Sequence, residues 1–265
     1  MINYSIIIPT FRREKELINC LELLYPQLSE NLRIEIIVSS DDTISDNLLE
    51  KFNWVTFLNG PSKGPAANRN SAAKNAKGTW LFFIDDDCLP HSNWLNEAIV
   101  ATNEEQEIYC IEGKTLAIGE KKSFDEVAPI NENGGKLWSC NFGIKKDIFL
   151  ELGGFDEQFP IATMEDIDFK IRYERIGEIK FVRGMLVYHP WRRKKAFGSF
   201  NQRLLSQKRF KNKYYNESIL KFRIQRICIF INSIPINIIQ LFKYQGRGFA
   251  FFIDKTIMNF CMIFI

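Results

Sequence analysis

Thr79-Trp80-Leu81-Phe82-Phe83-Ile84-Asp85-Asp86-Asp87 is the stretch on which the fold turns. Its first six residues are rich in aromatic and β-branched side chains and apolar on both faces. That pattern belongs to a short strand in the middle of a parallel sheet, where neither face meets water. Three aspartates follow without a spacer. Open α/β sheets collect ligands beyond the carboxyl ends of their strands, so the triplet lies where a site is expected. Carboxylates this crowded repel one another unless a cation neutralises them, and hard oxygen donors suit Mg²⁺ or Mn²⁺ bridging a diphosphate. A solvated acidic turn ahead of the helix after Pro90 is the plainer alternative; the buried strand in front of the triplet favours the metal.

Working outward, the preceding chain alternates short apolar runs with helical patterns, as βαβ construction requires. Tyr4-Ser5-Ile6-Ile7-Ile8 opens as a strand, and Leu17, Leu21, Leu24 and Tyr25 recur at helical spacing until Pro26. Ile34-Glu35-Ile36-Ile37-Val38 is a second strand, followed by a polar loop, a short helix and a third strand around residues 54–57. Gly64-Pro65 opens an Ala-rich helix expected to run through Lys77, with Gly78 as its C-cap. On the other side, residues 108–144 read as irregular β structure. A helix from Lys145 stops at Gly153-Gly154, another spans residues 164–175, and two strand-like runs cover 179–182 and 185–188. The reading is an α/β domain over residues 1–190, a Rossmann-like mixed sheet flanked by helices, and a helical extension over 191–265.

The chain has 265 residues, 46% of them hydrophobic, enough to bury a large core. Six scattered cysteines without paired or zinc-ligand spacing read as reduced thiols, and the first residues lack the pattern of a secretory signal, so a cytoplasmic location is expected. Net charge is +3 but divided. Residues 189–265 hold 15 Lys or Arg against Glu217 and Asp254, a net of +13, so the first 188 residues carry −10. An acidic half suited to a metal is joined to a basic half that seeks an anionic partner.

Several motifs stand in order along the first 190 residues. They are Ile8-Pro9-Thr10-Phe11, Gly64-Pro65-Ala66-Ala67-Asn68-Arg69-Asn70 with Ala76-Lys77-Gly78, Phe83-Ile84-Asp85-Asp86-Asp87, Gly153-Gly154-Phe155-Asp156-Glu157 and Glu165-Asp166-Ile167-Asp168. Singly each has a plain explanation: Gly-Gly ends helices, and acids favour helix N-termini. In this order the chain resembles the family 2 glycosyltransferases of the GT-A fold. The resemblance implies inverting transfer from a nucleotide-diphosphate sugar to a glycan or lipid-linked acceptor. It implies donor contacts at Pro9, Thr10, Asp41, Arg69, Asp85 and Asp86, and a divalent cation, Mn²⁺ or Mg²⁺, on Asp87, Asp85 and His189. Asp166 is then the general base, with Glu165 positioning the acceptor or tuning that base. Trp138 and Asn141 fall on the acceptor side, where an indole stacks on a sugar ring or simply fills the core. The chain departs from the family pattern after the second strand: Ser40 stands where an aspartate meets the base, leaving Asp41 or Asp42 to substitute.

Residues 192–226 interleave twelve Lys or Arg with aromatic side chains, a composition suited to an anionic membrane surface and superficially to nucleic acid. Beyond Ile227 the tail is rich in Ile and Phe, but Asn232, Pro235, Asn237 and Gln240 interrupt one run and Asp254, Lys255 and Asn259 the other. Helices lying in the interface, or an oligomer contact, are expected rather than a spanning anchor. The resulting expectation is a peripheral enzyme on the cytoplasmic face, binding no nucleic acid. Two alternatives remain: a nucleotidyltransferase, which needs a Gly-rich phosphate loop that Pro9-Thr10-Phe11-Arg12-Arg13 lacks, and a non-catalytic membrane-binding module on a degenerate transferase fold, against which the intact acidic motifs argue.

Overall fold

The computed structural model describes residues 2–29, 33–104, 107–215 and 218–265. The first half builds four parallel strands with helical crossovers. β1 (Tyr4–Thr10), α1 (Glu14–Leu24), β2 (Ile34–Ser40), α2 (Asp46–Lys51), β3 (Val55–Asn59), α3 (Pro65–Asn75) and β4 (Trp80–Ile84) follow one another in the chain. In the sheet they lie β3-β2-β1-β4, with Thr10 beside Ser40 and Ile7 beside Phe83. All five side chains of β4 are buried, as its two-faced apolar sequence requires.

Next come β5 (Leu89–Pro90), α4 (Trp94–Glu104), β6 (Cys110–Ala117), β7 (Glu126–Val127), β8 (Asn141–Lys145), α5 (Lys146–Glu151), α6 (Glu165–Tyr173) and β9 (Ile179–His189). They extend the sheet beyond β4 as β8-β6-β9-β5, with β8 antiparallel to both β4 and β6. The two runs expected at 179–182 and 185–188 are one strand. Its register against β6 jumps between Gly113 and Lys114, leaving residues 183–185 as a bulge. Asn141 Nδ2 donates to Lys114 O and Met185 O across that irregularity. One face of the sheet packs Leu17, Leu21, Phe82 and Trp94, and the other packs Ala72, Phe83, Phe142, Phe149, Phe155 and Phe169.

Gly78 does not cap α3, which ends at Asn75 with Ala76 as C-cap. It is glycine because a Cβ there would lie 2.6 Å from the backbone N of Ser5. The constraint is close approach to β1 rather than left-handed geometry.

The chain divides into two compact units, one of residues 1–117, 129–158 and 165–190, the other of 118–128, 159–164 and 191–265. The second unit takes up short inserted segments because they pair with its own elements. β10 (Arg192–Arg193) pairs antiparallel with β7, and Lys121 Nζ sits over the rings of Phe124, Trp191 and Tyr244 at 5.7, 5.9 and 5.4 Å. Its helices are α7 (Phe200–Tyr214), α8 (Ile219–Lys243) and α9 (Phe249–Cys261). α8 runs 25 residues through Pro235, so the residues that interrupt its apolar run do not interrupt the helix. By length and composition alone α8 could cross a membrane.

Candidate active site

The carboxyl ends of β1, β2 and β4 converge, and the aspartate triplet projects from the last of them. Each acid meets a different partner. Asp86 accepts hydrogen bonds from Thr10 Oγ1 at 2.8 Å and Arg13 Nη1 at 3.0 Å, tying β4 to the turn after β1. Burial pushes its carboxyl up to about 6. Arg13 and Thr10 act against this, and Asp85 and Asp87 add to it. Asp85 is paired with Arg69 Nη2 at 2.5 Å. Burial disfavours its charge, but the guanidinium outweighs burial and holds the carboxyl below its usual range.

Asp87 turns to the sheet's far side, where His189 ends β9. Its Oδ2 lies 3.3 Å from His189 Nε2, and Arg13 Nη1 stands 3.8 Å away. His189 Nδ1 is 2.7 Å from the carbonyl of Pro190, an acceptor, so Nδ1 carries the hydrogen and Nε2 is aimed at Asp87. A lone pair facing a carboxylate needs a proton or a cation between them, and the ligand atoms of Asp87, Cys88 and His189 lie within 4.8 Å of one another. Burial raises the Cys88 thiol well above its ordinary range. Asp87 and His189, with Cys88 beside them, are residues that could hold a divalent cation such as Mn²⁺. Asp85, expected as a second ligand, lies outside this cluster.

α3 carries three consecutive buried polar residues, an anomaly in an Ala-rich helix, and each holds a separate part of the site. Asn68 Oδ1 accepts from Ser39 Oγ at the end of β2. Arg69, 3% exposed, reaches Asp85 on one side and Glu165 on the other at 3.9 Å, with its guanidinium over Phe155. Burial opposes its charge, but Asp85, Asp166 and Glu165 more than compensate and raise its pKa. Asn70 donates to Phe155 O and Glu157 Oε1 and accepts from Phe155 N, all at 2.8–2.9 Å. That clamp explains the second glycine of Gly153-Gly154. Its φ is +67°, and a Cβ would fall 2.5 Å from Asn70 Oδ1.

α6 is aimed by Arg172, which donates to Asp168 and to the carbonyls of Leu152 and Gly154. Glu165 and Asp166 in its first turn thereby reach Arg69. Glu165 is 2% exposed. Burial raises the carboxyl of Asp166, with Asp85 adding to it, while Arg69 and hydrogen bonds from the Ser139 hydroxyl and backbone N–H pull the other way. A carboxylate with elevated proton affinity beside a fixed cation fits a general base.

The remaining expected residues divide. Pro9 is buried in β1 beside Ser39, and Thr10 is committed to Asp86. Asp41 accepts from the backbone N–H groups of Ser62 and Gly64, so it shapes the loop that starts α3. Asp42 instead lines a cavity of about 180 Å³ with Thr10, Arg12, Arg13, Ser40 and Thr43. Asn141, 1% exposed, spends its amide on the bulge and accepts from Trp94 Nε1, which leaves it no polar atom for an acceptor. Trp138 is half-buried, its Nε1 donating to Ile130 O. Arg13 and Ser139 were not singled out in the sequence. A cation one turn after the first strand was the available signal for Arg13; Ser139 offered none.

Residues 5–126 match the sequence profile described as Glycosyl transferase family 2. An uncharacterized glycosyltransferase of Haemophilus influenzae is 27% identical over 63% of this chain and 60% of its own length. The poly(ribitol-phosphate) beta-N-acetylglucosaminyltransferase TarS of Staphylococcus aureus is 30% identical over 39% of this chain and 19% of its own. The chain thus spans about three fifths and about a fifth of these relatives. Among solved structures, TarS in complex with UDP-GlcNAc superposes with a TM-score of 0.57 at 20% identity, covering 80% of this chain and 67% of that one. GalNAc-T7 with UDP, GalNAc and Mn²⁺ gives 0.58 at 18%, covering 73% and 45%. These likenesses fix the fold as GT-A. With its motifs in order on that fold, the chain is similar to glycosyltransferase family 2 over residues 5–126.

Proposed function

We propose that the chain transfers a sugar from a nucleoside diphosphate sugar to an acceptor hydroxyl in one inverting displacement assisted by a divalent cation. The observation that carries the reading is the division of the acids around Arg69 and His189. Asp87 Oδ2 faces His189 Nε2 at 3.3 Å, and Asp85, Glu165 and Asp166 share one buried guanidinium. The cation, when bound, would neutralise charge developing on the departing diphosphate. Asp166 takes the proton of the acceptor hydroxyl as that oxygen bonds to the anomeric carbon. The bond from that carbon to the diphosphate oxygen breaks in the same step, its electron pair leaving with the nucleotide. Arg69 keeps Asp85 ionised and holds Glu165 and Asp166 in place. The neighbouring cavity, lined by Thr10, Arg12, Ser40 and Asp42, is suited to the nucleoside end of the donor. Uridine donors are the first choice to test, since TarS and GalNAc-T7 have been solved with UDP or UDP-GlcNAc. The experiment is calorimetry of UDP with and without Mn²⁺. Wild type should show Mn²⁺-dependent affinity and Asp87→Asn should lose it while melting normally; unchanged affinity in the variant removes Asp87 from the cation site.

The same proposal places the enzyme on the cytoplasmic face of a membrane, acting on a glycan or lipid-linked acceptor. The second unit leaves much apolar surface outside. Beside a small core of Phe124, Phe210, Phe222 and Met258 it carries part-buried polar contacts: Arg203 with Asp254 at 2.7 and 2.8 Å, Lys255 with Asn237, and Asn259 with Ser233. Meanwhile Leu220, Ile224, Ile227, Ile231, Ile238 and Phe242 share one exposed face of α8. Polar seams with an outward isoleucine face, flanked by Lys and Arg, suit an anionic lipid surface rather than water or nucleic acid.

A further inference from the structure

Glu112 lies in the middle of β6 and is 2% exposed, and nothing in the mechanism above uses it. Its carboxylate is met by N–H groups from one loop. Gly135 N donates to Oε1, while Lys136 N, Leu137 N and Asn131 Nδ2 donate to Oε2 at 3.0, 2.7 and 3.0 Å. Three successive backbone N–H groups converge because Gly134, Gly135 and Leu137 all have positive φ, at 83°, 85° and 48°. Such a nest is a backbone anion site, here filled from within by the protein's own carboxylate. Leucine in the left-handed region is disfavoured and persists only where surrounding bonds impose it. Asn131 adds a second tie, pairing its backbone N–H and C=O with Thr115 on the same strand.

Two residues beyond the nest stands Ser139, 4% exposed, whose hydroxyl and N–H face the Asp166 carboxyl. The intervening Trp138 closes a turn by accepting from Asn141 N at 3.0 Å. The path from Glu112 to the base is thus a nest, a strained leucine and a single turn. We propose that Glu112 is a positioning residue for the transfer reaction: by gathering the N–H groups of residues 135–137 it fixes Ser139, and through Ser139 the Asp166 base. The proposal rests on the reading of Asp166 as base for its kinetic consequence, but not for its structural one.

Glu112→Gln tests both. The amide replaces one acceptor oxygen with a donor aimed at backbone N–H groups that are themselves donors, so the nest cannot close around it. Amide hydrogen exchange should quicken by about tenfold or more at residues 135–137 and at Ser139, with β1, β2 and α3 unchanged, because only the local opening is made easier. With UDP-GlcNAc as donor, kcat should fall by about tenfold while calorimetric affinity for UDP and Mn²⁺ stays within about twofold. Ser139→Ala should cost kcat similarly, and the double variant little more than either alone, since both act through one contact. If Glu112→Gln does not fold, Asn131→Ala removes one of the four donors and leaves the charge, and the same local exchange pattern is expected at smaller size. Unaltered exchange at Ser139, or exchange raised uniformly across the domain, overturns the proposal whatever the activity. So does a kcat loss matched by an equal loss of UDP affinity. A wild type that turns over no UDP-GlcNAc counts against the donor assignment, while the exchange at Ser139 still decides the role of Glu112.

Discussion

Arg69→Met keeps length and volume but removes the one cation that Asp85, Glu165 and Asp166 share. Removing one member of a buried ion pair leaves an uncompensated charge and costs about 3–5 kcal/mol, because the remaining group has lost both water and partner. For a domain of this size that is a fall of about 6–20 °C in melting temperature. The pH dependence carries the sharper test. In wild type the Asp85 carboxyl is held below its ordinary range, so it adds stability above its unfolded pKa of about 3.9, and that stability is lost as pH falls through the folded value. In the variant the largest opposition to burial at Asp85 is gone, leaving His189 and Arg13, and Asp166, already raised, keeps only the Ser139 hydrogen bonds to pull it down. A raised carboxyl makes the native state bind more protons than the unfolded chain, so the variant loses stability as pH rises from about 3.9 through the folded value. The two curves must therefore diverge with pH. Melts in EDTA should show a smaller gap near about pH 5 than near about pH 7.5, where both acids are required to ionise. An equal gap at both values, or a cost below about 1 kcal/mol at the higher one, refutes the assignment of Arg69 as a buried counter-ion.

Asp166→Asn preserves shape but cannot take a proton, so kcat should fall by about 10²–10⁴ with UDP affinity nearly unchanged, as steady-state kinetics beside calorimetry will show. Gly154→Ala forces a Cβ against Asn70 Oδ1 in a left-handed turn. It should cost about 1–3 kcal/mol in urea unfolding, whereas Gly153→Ala, with nothing within 4 Å, pays only the backbone term. The full chain should sediment with phosphatidylglycerol vesicles more than with phosphatidylcholine vesicles, an excess that shrinks with added salt. Replacing Ile227, Ile231 and Phe242 by serine should release it from both, and retention by oligonucleotides with indifference to lipid would contradict the membrane reading.

How much of this could be read in the letters depends on the range of the forces involved. β4 was legible because burial on both faces is written into five consecutive residues, and the acids after it because a strand end fixes where they point. The Gly153-Gly154 motif was visible as a marker, but its reason was not. The clamp by Asn70 joins residues 85 apart in sequence. Arg13 and Glu112 were missed for the same reason, their partners lying 73 and 25 positions away for the contacts to Asp86 and Leu137. β9 was divided in two because a bulge breaks alternation in sequence without breaking the strand in space. Asn237 interrupts the apolar run of α8 in sequence, but its burial and its bond from Lys255 are visible only in the fold.

The aspartate triplet has a consequence for how such a chain can change over time. Asp85 answers to a helix, Asp86 to a turn, and Asp87 to a strand at the opposite side of the sheet. Three identical letters in a row therefore sit under different constraints, with Asp86 and Asp87 linked through Arg13 and Asp85 held by Arg69. A lineage could let the facing pair Asp87 and His189 go together and keep its architecture. One that lost Asp86 would first have to find the β1 turn another anchor.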